Sequence, residues 1–230
     1  GRGGGSQPWQ LNEPRGVVVD VSGAIYVAEA GADRVTRWRA GGDVGEVVAG
    51  GQGRGDGTHQ LDAPVALALT LDGSLLVAEA GNSRVTRWTP GAFHGEVVAG
   101  GRGAGDELWQ LDHPCAVCED PHRGEGALLV AEAENDRVTS WRRGARESVV
   151  VAGGRGRGGE AWQLHEPLGI CLDWRGDLFV CEGGRHRITR WRRGADRGET
   201  VAGGRGWGSS FADGHLGSPC SVFVAHGTQP

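Results

Sequence analysis

An acid followed five residues later by an arginine recurs four times: Glu29 and Arg34, Glu79 and Arg84, Glu132 and Arg137, Glu182 and Arg187. Each pair lies inside one twelve-residue phrase, VAEAGADRVTRW at 27–38, VAEAGNSRVTRW at 77–88, VAEAENDRVTSW at 130–141 and VCEGGRHRITRW at 180–191. Two chemistries suit such a set. Four carboxylates converging on one ion would make a metal centre. A carboxylate and a guanidinium at the two ends of one short loop would instead close a bidentate ion pair. A carboxylate already supplied with its own arginine is poorly placed to serve a metal. The pairs therefore read as structural clips, each partly buried charge needing its partner because desolvating it alone is costly. No metal and no cofactor is expected.

Other reactive residue types give weaker patterns. Cys115 and Cys118 have CxxC spacing, but they fall in an apparent strand, where positions i and i+3 face opposite ways. No second CxxC or nearby His pair completes a zinc site. The five cysteines, Cys115, Cys118, Cys171, Cys181 and Cys220, are odd in number and keep no repeat register, so they read as small buried hydrophobes. Their unpaired count slightly favours the cytoplasm. Apart from His113 and His165, which fall near the entry to a first strand, the eight histidines do not recur in register, and neither a G-x-S-x-G nucleophile motif nor a phosphate-binding G-x-x-x-x-G-K-[ST] is present. Arg54-Gly55-Asp56 spells an adhesion tripeptide, which the loop pattern G-x-G-R-G-D-G produces by itself. No catalytic residue is assigned.

The elements that must hold these residues come from a repeat of about 50 residues. The Pro closing QLNEP, QLDAP, QLDHP, QLHEP and HLGSP stands at 14, 64, 114, 167 and 219, and VVAGG recurs at 47–51, 97–101 and 150–154, then TVAGG at 200–204. Trp38, Trp88, Trp141 and Trp191 keep the same beat and read as packing residues. Within one unit the period is two. GVVVDV, AIYVAEA, RVTRWR and EVVAGG make four β-branched runs separated by turn signals, and no stretch carries a helical stripe. Asp20, Asp72, Asp120 and Asp173 are expected to cap the first turn of each unit. Four antiparallel strands in a repeat of this length make a β-propeller blade. Blades are expected over about 10–51, 60–101, 110–154 and 163–204, with the first strand of a fifth at 215–225. The 44 glycines, which would otherwise suggest low complexity, sit at fixed loop positions of this repeat.

The pattern P-x-G-V-x-x-D, then G-x-I/L-x-V-A-E/D, then N-x-R-V resembles the NHL repeat, carried in the first unit by Pro14, Gly16, Asp20, Gly23, Val27, Glu29, Arg34 and Val35. It differs in having Glu where NHL repeats usually carry Asp after V-A. The resemblance implies an all-β propeller of NHL type. Such rings are commonly six-bladed, so four blades and one strand imply an incomplete ring, whose exposed edge strands invite self-association. The absence of any Met and an opening that matches the internal loops fit a segment cut within a repeat. Some NHL-like propellers are amidating lyases or metal-dependent lactonases with a central ion, and some read RNA on a basic face. Those are the alternatives to a non-catalytic scaffold for protein or peptide recognition. No membrane-spanning run is visible.

What all units share reads as fold, and what differs at exposed loops is where recognition would be encoded. The loops after the second strands present Ala32-Asp33, Asn82-Ser83, Asn135-Asp136 and Arg185-His186. The connections between blades present Arg54, Arg102, Arg155, Arg157, Arg205 and Trp207. Arg54, Arg102, Arg155, Arg157, Arg185, His186, Arg205 and Trp207 are the candidate binding residues. A formal charge of −5 argues against a global attraction for nucleic acid.

Overall fold

The structure, a computed structural model, describes residues 4–5, 7–124, 126–206 and 214–224. Its strands are β1 (Pro14–Val19), β2 (Ile25–Glu29), β3 (Arg34–Trp38), β4 (Gly45–Gly50), β5 (Pro64–Leu69), β6 (Leu75–Glu79), β7 (Arg84–Trp88) and β8 (Glu96–Gly100). The second half continues with β9 (Pro114–Glu119), β10 (Leu128–Glu132), β11 (Arg137–Trp141), β12 (Val149–Gly153), β13 (Pro167–Leu172), β14 (Leu178–Glu182), β15 (Arg187–Trp191) and β16 (Gly198–Gly203). They form four four-stranded sheets in which each strand pairs with its sequence neighbour. The chain divides into two compact units, residues 1–119 and 120–230. None of the helices of the described residues is long and apolar enough to cross a membrane.

Each sheet grows from the same local rules. Proline opens the first strand, where its missing N–H removes no ladder bond from the sheet interior. The β1–β2 turn closes with the Asp20 amide on the Ala24 carbonyl at 3.0 Å, and Gly23 takes the φ of 81° that the turn requires. The Asp20 carboxylate accepts from the Ser22 and Ala24 amides, both at 2.9 Å. Asp173 does the same for Arg175 and Asp177, and Asp120 accepts from His122. In the second sheet Thr70 occupies that position. Asp72, two residues on, accepts from the Ser74 amide at 3.0 Å and from the Thr70 hydroxyl.

In the first unit β1 lies against β5 and β5 against β9. The core there gathers Ala28, Val35 and Ala49 of the first sheet with Leu67, Leu75, Val77 and Trp88 of the second and Leu61 of the connection between them. Both faces of β6 and β7 are buried throughout: β6 reads as a nearly continuous apolar run, whereas β7 buries Arg84, Thr86 and Arg87 between Val85 and Trp88. In the second unit β10 packs on β13.

Residues 214–224 contain no strand, although the HLGSP signal predicts one. A ladder needs a second strand to pair with, and none of the described residues supplies one. The segment nevertheless holds the place of a next first strand. A β-carbon on Gly169 of β13 would meet the Cys220 carbonyl and the Ser221 Cα at 2.9 Å. A β-carbon on Gly16 of β1 would meet the Val65 carbonyl and the Ala66 Cα of β5 at 2.9 and 3.0 Å. Glycine permits this close backbone approach at both positions.

Candidate functional site

The four glutamates end β2, β6, β10 and β14, and the register places each directly opposite the arginine that opens the next strand. All four glutamates are fully buried. Arg34 donates from Nε and one terminal nitrogen to the two oxygens of Glu29, at 3.1 and 3.0 Å. The same oxygens accept from the Thr36 hydroxyl at 2.7 Å and the Asn12 amide at 3.0 Å. Glu79 accepts from Arg84 at 2.9 Å, Thr86 at 2.8 Å, Asn82 at 2.6 Å and the Asp62 amide at 3.3 Å. Arg137, Thr139 and Asn135 serve Glu132 in the same way, and Arg187, Thr189 and the His165 amide serve Glu182. Arg34, Arg84 and Arg187 reach further acceptors in the segment that leads into their own sheet: Arg187 donates to the Gly159 and Gln163 carbonyls at 2.9 and 3.3 Å. The clips thus tie three chain segments together. Both oxygens of every glutamate are occupied by donors, which leaves nothing to offer a substrate or an ion.

Burial pushes the Glu182 carboxyl up, against the opposing pull of Arg187, Thr189 and the His165 amide. The threonines were not singled out from sequence. They extend each clip outward: the Trp38 indole donates to Thr36 at 3.0 Å, Trp88 to Thr86 at 3.0 Å, Trp141 to Thr139 at 3.1 Å and Trp191 to Thr189 at 3.2 Å. The signal is the T-x-W spacing, which places both side chains on one face of the strand.

The variable loop tips have an unexpected second task. Asp33, Ser83, Asp136 and His186 all adopt left-handed backbone, with φ between 47° and 52°. From that position Asp33 accepts the Ala63 amide at 3.0 Å, Asp136 the Glu166 amide at 2.9 Å, and His186 Nδ1 the Ser218 amide at 2.9 Å. Arg54 reaches Asp33 at 3.4 Å and Asp62 at 3.3 Å, and Arg157 reaches Asp136 at 3.0 Å. Arg54, Arg157 and His186 thus fasten one sheet to the entry of the next.

Arg102, Arg155, Arg185 and Arg205 are exposed, and among the described residues their guanidinium groups make no ion pair or hydrogen bond. Arg102 belongs to the first unit and the other three to the second. Arg185, His186 and Arg187 line a cavity of about 230 Å³ with Gly159, Gly204 and Gly206, and Arg205 stands between those last two glycines. Trp207 lies outside the described residues.

Among the described residues no group of three His, Cys, Asp or Glu is gathered as a metal site requires. None of the cysteines forms a disulfide there. Burial raises the thiols of Cys171 to about 11 and of Cys181 to about 12. Iodoacetamide at pH 8 should therefore label the exposed Cys220 quickly and leave Cys181 intact until the fold is lost. Peptide mapping by mass spectrometry checks this, and native labelling of Cys181 at the rate of Cys220 would contradict the packing of β14.

Among family models, that of the NHL repeat matches residues 164–191, which cover β13, β14 and β15 with their lead-in. A chain in a crystal structure of a nidogen/laminin complex is similar at a TM-score of 0.66 and 17% identity, over 94% of this chain and 70% of that one. A gluconolactonase from Xanthomonas campestris is similar at 0.60 and 21%, over 90% and 63%. A streptogramin B lyase is similar at 0.56 and 12%, over 86% and 56%. No curated protein matches the sequence. Likeness at these identities is one of fold. The fourth sheet carries the NHL repeat, and the chain is an all-β protein of the NHL-type β-propeller fold.

Proposed function

We propose that the chain is a non-catalytic binding scaffold that recognises an acidic protein or peptide segment through its loops. One observation carries the reading. Loop arginines that serve the fold, Arg54 and Arg157, have carboxylate partners, while Arg102, Arg155, Arg185 and Arg205 are exposed without one among the described residues. An arginine with no structural duty, on a loop pinned by buried clips, is preorganised for an external acceptor. The second unit holds three of the four; Arg185 lines one cavity, and Arg205 lies in sequence between Gly204 and Gly206, which line it too. A structural neighbour in a nidogen/laminin complex shows the fold in a protein assembly and supports the same direction.

The test is fluorescence anisotropy with a labelled Asp/Glu-rich peptide and, separately, a mixed single-stranded RNA. The peptide should bind at low ionic strength, and Arg185→Glu together with Arg205→Glu should weaken it by about tenfold or more. Arg102→Ala should leave the unfolding midpoint unchanged. Binding indifferent to the double charge reversal, or no binding at low salt, overturns the proposal. RNA binding with a steep salt dependence would replace it with the nucleic-acid reading.

A further inference from the structure

An arginine occupies the same place on the third strand of three sheets, as Arg37, Arg87 and Arg190, with Ser140 in the remaining one. Two of these arginines have an acid of their own. Arg87 pairs with Asp72 at 2.5 Å, and Arg190 pairs with Asp177 at 2.6 Å and with Glu199 at 3.6 Å. In the first sheet the positions of Asp72 and Asp177 are filled by Ser22 and Ala24. Arg37 is left with the Tyr26 ring, 5.9 Å from its guanidinium carbon. Its Nε is buried and has no hydrogen-bond partner among the described residues.

The neighbouring acids do not serve it. Asp20 gives one oxygen to the Ser22 and Ala24 amides and the other to the Tyr26 hydroxyl at 3.3 Å. Glu46 is the register partner of Arg37 on β4, yet the two form no ion pair. A buried guanidinium nitrogen without an acceptor is costly in a folded protein and calls for a partner.

Arg37 opens into a cavity of about 450 Å³ within the first unit, walled by Tyr26, Val48, Leu75, Trp88 and Phe93. That volume is in the range of small-molecule sites, which combine apolar walls with few polar groups that fix orientation. We propose that this cavity binds an organic monocarboxylate with an aromatic or branched apolar body, Arg37 supplying the counter-ion. A guanidinium matches a planar carboxylate with two parallel hydrogen bonds, and the aromatic walls take the remainder. Glu46 also lines the cavity and would repel a second negative charge, which sets the preference for one carboxylate. The site is distinct from the loop arginines, and its ligand chemistry occurs both in free aryl acids and at the carboxy terminus of a peptide ending in Phe.

Titration calorimetry with 3-phenylpropionate against its amide, and with acetyl-Ala-Ala-Phe as free acid against amide, separates the two sources. At least one acid should bind, and its amide should bind about tenfold or more weakly, as expected for loss of a charge-assisted hydrogen bond. Arg37→Gln should weaken the acid to the level of the amide without unfolding the chain, since among the described residues the Arg37 side chain forms no ion pair and its buried Nε has no acceptor to lose. Ala24→Asp recreates the acid that Arg190 has in Asp177, so it should compete internally and give the same loss. That second variant decides the matter if the first does not fold. Equal affinity for acid and amide, an unaffected affinity in both variants, or no heat from any acid at millimolar concentration overturns the proposal.

Discussion

Trp88→Ala is expected to cost the folded state about 3–5 kcal/mol, the range for deleting a large buried aromatic side chain. Trp88 is only 3% exposed and joins Leu61, Leu75 and Val77 to the Ala28, Val35 and Ala49 of the neighbouring sheet. Its ring lies so close to Gly95 that a β-carbon there would stand 2.7 Å from Cε2, so no side chain can move in to fill the space. The truncation also takes the indole donor from Thr86, the residue that continues to Glu79. Cavity and lost hydrogen bond act together. Trp38 provides an internal comparison, because the residue beside it in register, Ile25, is 41% exposed, whereas its counterpart Leu75 is 4% exposed. Trp38→Ala should therefore cost distinctly less. Urea unfolding followed by far-UV circular dichroism measures both, and a loss below about 1 kcal/mol for Trp88→Ala would place that ring outside the core.

Much of this packing was legible because it repeats. The prolines at 14, 64, 114 and 167 open β1, β5, β9 and β13, and the Glu-to-Arg interval spans the loops that separate second from third strands. Period two in the Val-rich runs and turn signals between them are short-range features, and they need no knowledge of what lies across the sheet. The loop tips were harder. Asp33 and the Ala63 amide are 30 residues apart, and their meeting depends on left-handed backbone at both positions, which nothing in the composition of AGAD or LDAP announces. Variation among Asp33, Ser83, Asp136 and His186 reads as recognition, yet Asp33, Asp136 and His186 each accept a backbone amide from the next repeat. The Arg37 cavity was hidden for the opposite reason. Arg37 belongs to the shared phrase, so the repeat disguises it. Only its missing partner, visible once Ser22 and Ala24 are aligned with Asp72 and Asp177, sets it apart.

Removing one member of a clip should be as damaging as removing the tryptophan, and for an electrostatic reason. Arg187→Ala leaves Glu182 fully buried, with the Thr189 hydroxyl and the His165 amide as remaining donors. Breaking a buried pair on one side costs about 3–5 kcal/mol, because the surviving charge is uncompensated. The penalty depends on pH in a determined direction. Burial already raises the Glu182 carboxyl with Arg187 present, and losing that cation raises it further. A carboxyl whose folded value exceeds its unfolded one contributes stability that is fully present below the unfolded value. That contribution is lost as pH rises through the folded value. The deficit of Arg187→Ala should consequently be large at pH 8 and shrink as the pH is lowered towards the ordinary glutamate range of about 4.3. The companion Glu182→Leu/Arg187→Leu removes both charges at once and should cost less than the sum of the single losses, since no ion is left stranded. Urea midpoints for wild type, the single variants Arg187→Ala, Arg187→Leu and Glu182→Leu, and the pair, taken at pH 8 and pH 5, decide it. A deficit that stays constant with pH, with additive single losses, would mean that Glu182 finds solvent in the folded chain and that the clip is a surface pair.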